Sequence, residues 1–432
     1  MSRIHKLIVP IMLTMNLCAC GSESIQKGSN IQNFEQNHYI THANTYQNGV
    51  IYTGSEGSST AAYFLDYESM QAVPLCNKPN CAHKDTSCLA FQCVQDSIMP
   101  FVYQGMVYWF HTDSKITDSD DGRSTAYQFQ TTCYCGNMTT GEVESFVEIP
   151  DVSMKDAIEF VISNHTLYII GCDCAYQEED GSWTEMSRIG DQYLYAINLD
   201  TADVKNYGLI NDAPTASYNW TLNGAMFADV ELTGIYQNKL YLSYRYVDDP
   251  NDIIDYVNTG DPDSPDWSDA GTAIPWHRVN KCLNLETDTI EPSEYPAADL
   301  IQDDTYIYYM DGQYHVMDAD GTETVSADIP ANNSRNLTFV NGIFWDGPQS
   351  TCFQPKTGET HVLSETYSDT NLTVIAYYKE RYIINYTDEN NLIHFEAVPE
   401  SDLIGGIVEC LFIKLSGGIY ITHILDVLVI QL

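Results

Sequence analysis

The chain has 432 residues, with 60 Asp or Glu against 19 Lys or Arg, and its formal net charge at pH 7 is −41. So acidic a chain offers no basic face with which to neutralise phosphates, which excludes nucleic acid as a partner. Hydrophobic residues make up 44% of the sequence and aromatic residues 12%, enough for a sizeable core and too many for a disordered chain.

The chain begins with the pattern of a secretory leader over residues 1–19. Two basic side chains, Arg3 and Lys6, precede an apolar run from Leu7 to Leu17 that is too short to span a bilayer. The run leads into "LCAC", and a leucine three residues before a cysteine, with a small residue between them, resembles the bacterial lipobox. That resemblance makes Cys20 the lipidated N-terminus, whereas a plain secretory signal would leave it an ordinary thiol.

Residues 20–38 are polar and weakly patterned, so we expect a flexible tether between the lipid and a folded domain. Leader and tether together predict a bacterial lipoprotein held on the extracytoplasmic face of the cell membrane, with the membrane as its first partner. Removal of the leader makes the mature chain still more acidic, so we expect it to repel anionic lipid and to attract cations.

A short pattern recurs seven times over residues 39–403: a turn residue followed three positions later by an aromatic or apolar residue. Each copy follows a run rich in β-branched and aromatic residues, and each therefore predicts the turn of a β-hairpin. The copies are "NGVIY" (48–52), "QGMVY" (104–108), "NHTLY" (164–168), "QNKLY" (237–241), "DDTYI" (303–307), "VNGIF" (340–344) and "KERYI" (379–383).

A second hairpin follows most of these copies, with a polar turn rich in Thr, Gly, Asp and Glu. Two hairpins make four antiparallel strands, and about seven such units predict an all-β fold, a β-propeller of seven four-stranded blades over residues 39–403. A pair of β-sandwiches or a β-solenoid is the alternative. Sandwiches seldom repeat one hairpin signature seven times, and solenoid coils are shorter and more uniform.

Three cysteines occupy the same place in the repeat, six residues before the glycine or its equivalent in the second turn: Cys135, Cys282 and Cys352. Other units place Ala196 or His315 there. A slot filled mainly by Cys and Ala indicates a small core position, where a free cysteine acts as a compact hydrophobic residue.

The stretch "CNKPNCAHKDTSC" differs in kind, because it gathers Cys76, Cys81, His83 and Cys88 in one polar loop, with Cys93 five residues further on. Thiolates and a neutral imidazole are the ligands that tetrahedral zinc prefers, so the loop predicts a zinc-type site. Oxidation competes with zinc outside the cytoplasm. A disulfide between Cys76 and Cys81, or between Cys81 and Cys88, with Cys93 as another partner, therefore stays open, as do free thiols.

From the lipobox through the repeats to "PLCNKPNCAHKDTSCLA" (74–90), the chain resembles lipoproteins of gut clostridia. In those proteins a C-x4-C-x-H-x4-C segment follows the first blade of a TolB-like β-propeller. The resemblance covers the mature chain up to about Leu403, and the motif is its specific part. It implies that Cys76, Cys81, His83 and Cys88 are the signature residues of the family, and it implies no activity.

Residues 404–432 do not continue the repeat pattern. They are unusually apolar, yet Lys414 and Asp426 lie inside the run and pairs of glycines interrupt it, which argues against a membrane span. We expect a last strand that closes the ring, followed by an atypical end of the reading frame.

The sequence contains no G-x-S-x-G, H-E-x-x-H or P-loop motif. We therefore expect a ligand-binding or scaffolding module rather than an enzyme, with zinc at the cysteine loop as its one candidate cofactor. The acidic and aromatic loop that holds Trp267 and Trp276 would suit a glycan or a cationic peptide. A secreted hydrolase directed at glycans or peptides, with its active site at the mouth of the propeller channel, is the alternative.

Overall fold

The computed structural model of the chain describes residues between 39 and 407. Within that span it leaves out residues 41–42, 47, 57–58, 84, 86, 95–99, 119–123, 155–159, 173, 179–185, 190, 214–229, 250–274, 303, 312, 326–336, 347–349, 356, 358, 368–371 and 388–392. The predicted leader, the lipidation site at Cys20, the tether, Trp267 and most of the apolar tail therefore lie outside the described residues.

The described residues form seven antiparallel sheets, which follow one another along the chain. Sheet 1 contains β1 (Tyr39–Ile40), β2 (Ala43–Tyr46), β3 (Gly49–Glu56), β4 (Ser59–Asp66) and β5 (Gln71–Pro74). Sheet 2 contains β6 (Phe101–Tyr103), β7 (Met106–Asp118), β8 (Ser124–Asn137) and β9 (Val143–Pro150). Sheet 3 contains β10 (Phe160–Ser163), β11 (Thr166–Cys172), β14 (Gln192–Asn198) and β15 (Val204–Leu209), with β12 (Cys174–Glu178) and β13 (Met186–Ile189) inserted in the chain after β11.

The remaining four sheets repeat the same order. Sheet 4 contains β16 (Glu231–Tyr236), β17 (Lys239–Tyr246), β18 (His277–Asn284) and β19 (Thr289–Pro292). Sheet 5 contains β20 (Leu300–Gln302), β21 (Thr305–Met310), β22 (Gln313–Met317) and β23 (Glu323–Val325). Sheet 6 contains β24 (Leu337–Val340), β25 (Ile343–Asp346), β26 (Thr351–Gln354) and β27 (Glu359–Leu363), and sheet 7 contains β28 (Thr373–Tyr378), β29 (Arg381–Thr387) and β30 (Ile393–Pro399).

Seven clusters of buried hydrophobic residues fill the spaces between successive sheets. One of them packs Val50 and Leu65 of sheet 1 against Ile375 and Ile383 of sheet 7, so the last sheet lies next to the first. The first strands of neighbouring sheets also contact one another, as β16 does with β10 and β20. The chain is therefore a seven-bladed β-propeller whose first strands lie innermost, as the repeats predicted.

Blade 1 begins with β2, because β1 is an additional strand that pairs with β2. With the strands counted in this way, all seven hairpin patterns found in the sequence lie between the first and second strands of a blade. In the second blade the turn residues Gln104 and Gly105 have φ of 46° and 78°, and in the seventh Lys379 and Glu380 have φ of 48° and 64°. Two successive residues with positive φ form the turn whose twist matches the right-handed twist of the strands that it joins. The predicted small core slot is confirmed as well, because Cys135, Cys282 and Cys352 are all buried.

Since strands alternate in direction, the two kinds of loop lie on opposite faces of the ring. The turns inside the two hairpins of each blade share one face, which we call the hairpin face. The loops from second to third strands, and the links that leave each blade for the next, start from the other face, which we call the connection face.

Two strands of blade 2 are much longer than their counterparts. Strands β7 and β8 have 13 and 14 residues, whereas the second and third strands of the other blades have 4 to 8. Beyond the blade, β8 pairs with β12, and β12 pairs with β13. The outer halves of β7 and β8, together with β12 and β13, form what we call the raised sheet, on the connection face.

The chain leaves the ring through a short helix. In the described chain the helices are α1 (Leu89–Gln92) and α2 (Glu400–Leu403), and neither is long and apolar enough to cross a membrane. After α2, the start of the apolar tail forms β31 (Ile404–Ile407), which pairs with β27 at the outer edge of blade 6.

Candidate metal centre

The four residues of the cysteine and histidine motif lie in the link between β5 and β6, which fills the gap between blades 1 and 2. Propeller blades diverge outward, so the gap between neighbours widens toward the rim. Here Cys76, Cys88 and the buried face of α1 belong to the hydrophobic cluster that joins the two blades. The link also reaches the hairpin face, where the backbone N–H of Asn77 donates to the carbonyl of Met138 at 2.6 Å.

A tight turn places the second ligand candidate. The backbone N–H of Cys81 donates to the carbonyl of Lys78 at 3.1 Å, and Asn80 between them has φ of 61°. A type II turn requires positive φ at its third position and commonly has proline at its second. Pro79 and Asn80 therefore fold the chain so that Cys81 comes back toward Cys76.

A second turn places the last ligand candidate. The backbone N–H of Cys88 donates to the carbonyl of Asp85 at 2.9 Å. The carboxylate of Asp85 accepts hydrogen bonds from the backbone N–H and the hydroxyl of Ser87, at 2.9 and 2.6 Å. An aspartate that binds the backbone two residues on stabilises such a turn. Cys88 then directly precedes α1, which packs into the core between the blades.

The two turns bring four side chains to one point. One ligand atom from each of Cys76, Cys81, His83 and Cys88 lies within 4.8 Å of all the others. The His83 Nδ1 atom is 3.4 Å from the Cys88 sulfur. Relative exposure is 4% for Cys76 and 1% for Cys88, so the cluster is closed on the side of the core.

The thiols of Cys76 and Cys88 are joined by a hydrogen bond. This bond, and further ones from the backbone N–H groups of Lys78 and Leu89, lower the pKa of Cys76. The same contact with Cys76 raises the pKa of Cys88. Hydrogen bonds donated to a sulfur stabilise its thiolate, which is the form that binds a metal.

Cys93 is not a member of the cluster. Its thiol donates to the carbonyl of Ala90 at 3.6 Å, at the end of α1. It is buried, and burial raises its pKa. Cys93 and the three cysteines of the cluster are all free thiols in the structure.

Comparison with known proteins adds little at the level of sequence. No protein-family model matches the chain, and no curated protein sequence does. Among solved structures, an oligogalacturonate lyase in complex with manganese shares 11% identity over 82% of this chain and 87% of its own, with a TM-score of 0.41. TolB from Acinetobacter baumannii shares 11% identity over 83% and 80%, with a TM-score of 0.23.

A third similar structure is the acylaminoacyl peptidase of Pyrococcus horikoshii, with 8% identity over 87% of this chain and 53% of its own, and a TM-score of 0.37. At these identities and scores the similarities carry no argument about activity. The seven-bladed ring rests on the strand pairing and on the clusters between the blades.

Sequence reasoning missed a charged cluster on the connection face, formed by Glu231, Arg278 and Asp299. One nitrogen of Arg278 is 3.3 Å from a carboxylate oxygen of Glu231, and the other is 4.0 Å from Asp299. Glu231 opens β16 and Asp299 directly precedes β20, so both carboxylates lie at the ends of innermost strands. The residues are far apart in the sequence, and no local pattern connects them.

Proposed function

We propose that the protein is a lipid-anchored, extracytoplasmic β-propeller that binds a ligand on its connection face. The observation that carries the proposal is the raised sheet. Four strand segments from blades 2 and 3 pair with one another outside the ring, although the ring needs none of them to close. Ordering these strands costs conformational entropy, and the ring does not need them to close. Their presence therefore favours another role for them, such as a binding surface.

The charged cluster on the same face supports this assignment. The side chains of Glu231, Arg278 and Asp299 are 44%, 29% and 41% exposed, so a ligand can reach them. The two carboxylates lie at inner strand ends, where the channel of a propeller opens, and Arg278 reaches them from the start of the third strand, β18. A polar ligand can form hydrogen bonds with these exposed groups in place of solvent.

The charge of the chain favours one ligand class. With a formal net charge of −41, the surface attracts cations over long distances and repels anions. A peptide or protein segment with basic residues is therefore the favoured ligand, and a neutral glycan is the second. The predicted lipid at Cys20 and the tether of residues 20–38 would keep the ring close to the membrane, outside the cytoplasm.

Binding screens with the secreted, unanchored Cys20→Ser protein test this function. We expect a positive signal on a library of basic peptides or on a glycan array. Binding should weaken about tenfold in the Glu231→Gln, Asp299→Asn double variant, because two of the charges that face the ligand are removed.

A matched control lies on the hairpin face, where Asp288 is also an exposed carboxylate paired with a cation, Lys205. The Asp288→Asn variant should bind as the parent does. Blank screens, or equal losses in both variants, would contradict the proposal. Cleavage of a bound glycan or peptide would favour the hydrolase instead.

A further inference from the structure

We infer that Cys76, Cys81, His83 and Cys88 bind one zinc ion, and that this ion is structural rather than catalytic. The set has four protein ligands, three sulfurs and one nitrogen. A catalytic zinc keeps a coordination position open for water or substrate, whereas a structural zinc is closed by four protein ligands. The inference is independent of the proposed ligand-binding function, because the cluster lies between blades 1 and 2.

The distances fit a tetrahedron. With zinc–sulfur bonds of about 2.3 Å and zinc–nitrogen bonds of about 2.0 Å, ligand atoms lie about 3.5 to 3.8 Å from one another. The separation between His83 Nδ1 and the Cys88 sulfur is 3.4 Å. No pair exceeds 4.8 Å, so the widest pair need approach by only about 1 Å.

The donor atoms select the metal. Three soft thiolates and an imidazole suit zinc and disfavour magnesium, calcium and manganese, which prefer oxygen ligands. An iron–sulfur cluster usually takes four thiolates, and this loop offers three within the site. Zinc fits both the types of the ligand residues and the tetrahedral spacing of their atoms.

Backbone groups around the cluster support charged sulfurs. The N–H groups of Lys78 and Leu89 are directed at the sulfur of Cys76, and that of Ala90 is directed at Cys88. In both cases one donor lies two residues after the cysteine. A zinc ion with three thiolates carries a net negative charge, and N–H groups that donate to the ligand sulfurs offset it.

A disulfide does not account for the same geometry. A bond between two of the cysteines would leave the third sulfur and His83 without a role. His83 has φ of 50°, a left-handed conformation that is unfavourable for a residue with a Cβ atom. Zinc coordination accounts for an imidazole held in this conformation next to three sulfurs.

The experiment is metal analysis and thiol counting on the full-length wild-type protein, purified without chelator. We expect one zinc per chain and an intact mass with no hydrogens missing. A chelator should release the zinc and expose three thiols to a thiol reagent. Cobalt, taken up in place of zinc, should give the visible absorption of a tetrahedral thiolate site.

Three variants complete the test. His83→Ala and Cys81→Ser should lose the zinc, while Cys93→Ala, a matched cysteine variant in the same link, should keep it. If the Cys81→Ser protein does not fold, His83→Cys serves as a further variant and should retain zinc through four thiolates. A wild-type protein that lacks metal and is lighter by two hydrogen atoms for each disulfide would overturn the inference, as would zinc that persists in His83→Ala.

Discussion

At one position in the third strand of five blades, the residue on the neighbouring strand limits the size of the side chain. Cys135, Cys282 and Cys352 lie directly opposite an aromatic side chain of the second strand, as does Ala196. A large ring on one strand leaves room for a small side chain on the next, because interiors are close-packed. Blade 5 solves the same packing differently, with His315 in this slot.

His315 stacks on its partner Tyr308, with ring centroids 4.6 Å apart and planes at 10°. Both side chains contact Glu323: the Tyr308 hydroxyl donates to its carboxylate at 2.5 Å, and His315 Nδ1 is 2.9 Å away. The hydrogen bond from Tyr308, and then that from His315, lowers the pKa of Glu323. The ionised carboxylate is therefore stabilised by folding.

This pairing predicts a pH-dependent stability. Because the pKa of Glu323 is lower in the folded than in the unfolded protein, its contribution is present above the unfolded value and is lost as pH falls through the folded one. Wild type should be more stable than Glu323→Gln near pH 6, by less than about 1 kcal/mol because the carboxylate is 42% exposed. Urea unfolding near pH 3.5 should show the difference shrinking, and a constant difference would contradict this assignment.

Among the structural elements, α1 packs against blade 2 at Gly136, where a larger residue would not fit. A Cβ atom at Gly136 would lie 2.4 Å from the Cδ1 atom of Leu89 and 3.2 Å from the ring of Trp109. Leu89 is buried, so the leucine side chain has little room to move away. Gly136 thus allows the link between the blades to pack closely against β8.

We predict that Gly136→Ala destabilises the protein by about 1–3 kcal/mol, as overpacking of a core does. In a Leu89→Ala background the same change should cost less, because the atom that it strikes is gone. Denaturant unfolding of the four proteins measures both values. If Gly136→Ala lowers the free energy of unfolding equally in the two backgrounds, close packing of Leu89 against Gly136 is contradicted.

The hairpins of the ring could be predicted from the sequence, because their signal lies within a few residues. A turn such as that of Asn341 and Gly342 needs positive φ and carries the residues that tolerate it. The motif of the candidate metal site was visible for the same reason. The two turns at Asn80 and Asp85 are also local, which is why the four side chains of one short loop lie close together.

Pairing between distant segments could not be predicted in this way. That β12 joins β8 of another blade, and that β31 joins β27, depends on which edges the fold brings together. The cluster of Glu231, Arg278 and Asp299 has the same origin. Strand periodicity shows which face a side chain takes, but it does not show which strand lies beside it.

At the scale of the whole molecule, the ring is closed by side chains. Sheet 7 has three strands among the described residues, and it meets sheet 1 through packing of Ile383 and Val50 and an ion pair between Lys379 and Glu68. In a closed ring, the packing of side chains in each gap between two blades helps to hold the blades together at the other six gaps. The proposed metal centre lies in one of these gaps, so we expect its contribution to extend beyond the loop that would hold it.

The most direct test of this account is thermal unfolding of the full-length protein with and without a zinc chelator. Metal binding free energy adds to folding free energy when the site forms only in the folded chain. Removal of zinc should therefore lower the melting temperature of wild type by at least about 5 °C and leave that of His83→Ala unchanged. Wild-type protein that loses its zinc and melts at the same temperature would contradict a structural metal between blades 1 and 2.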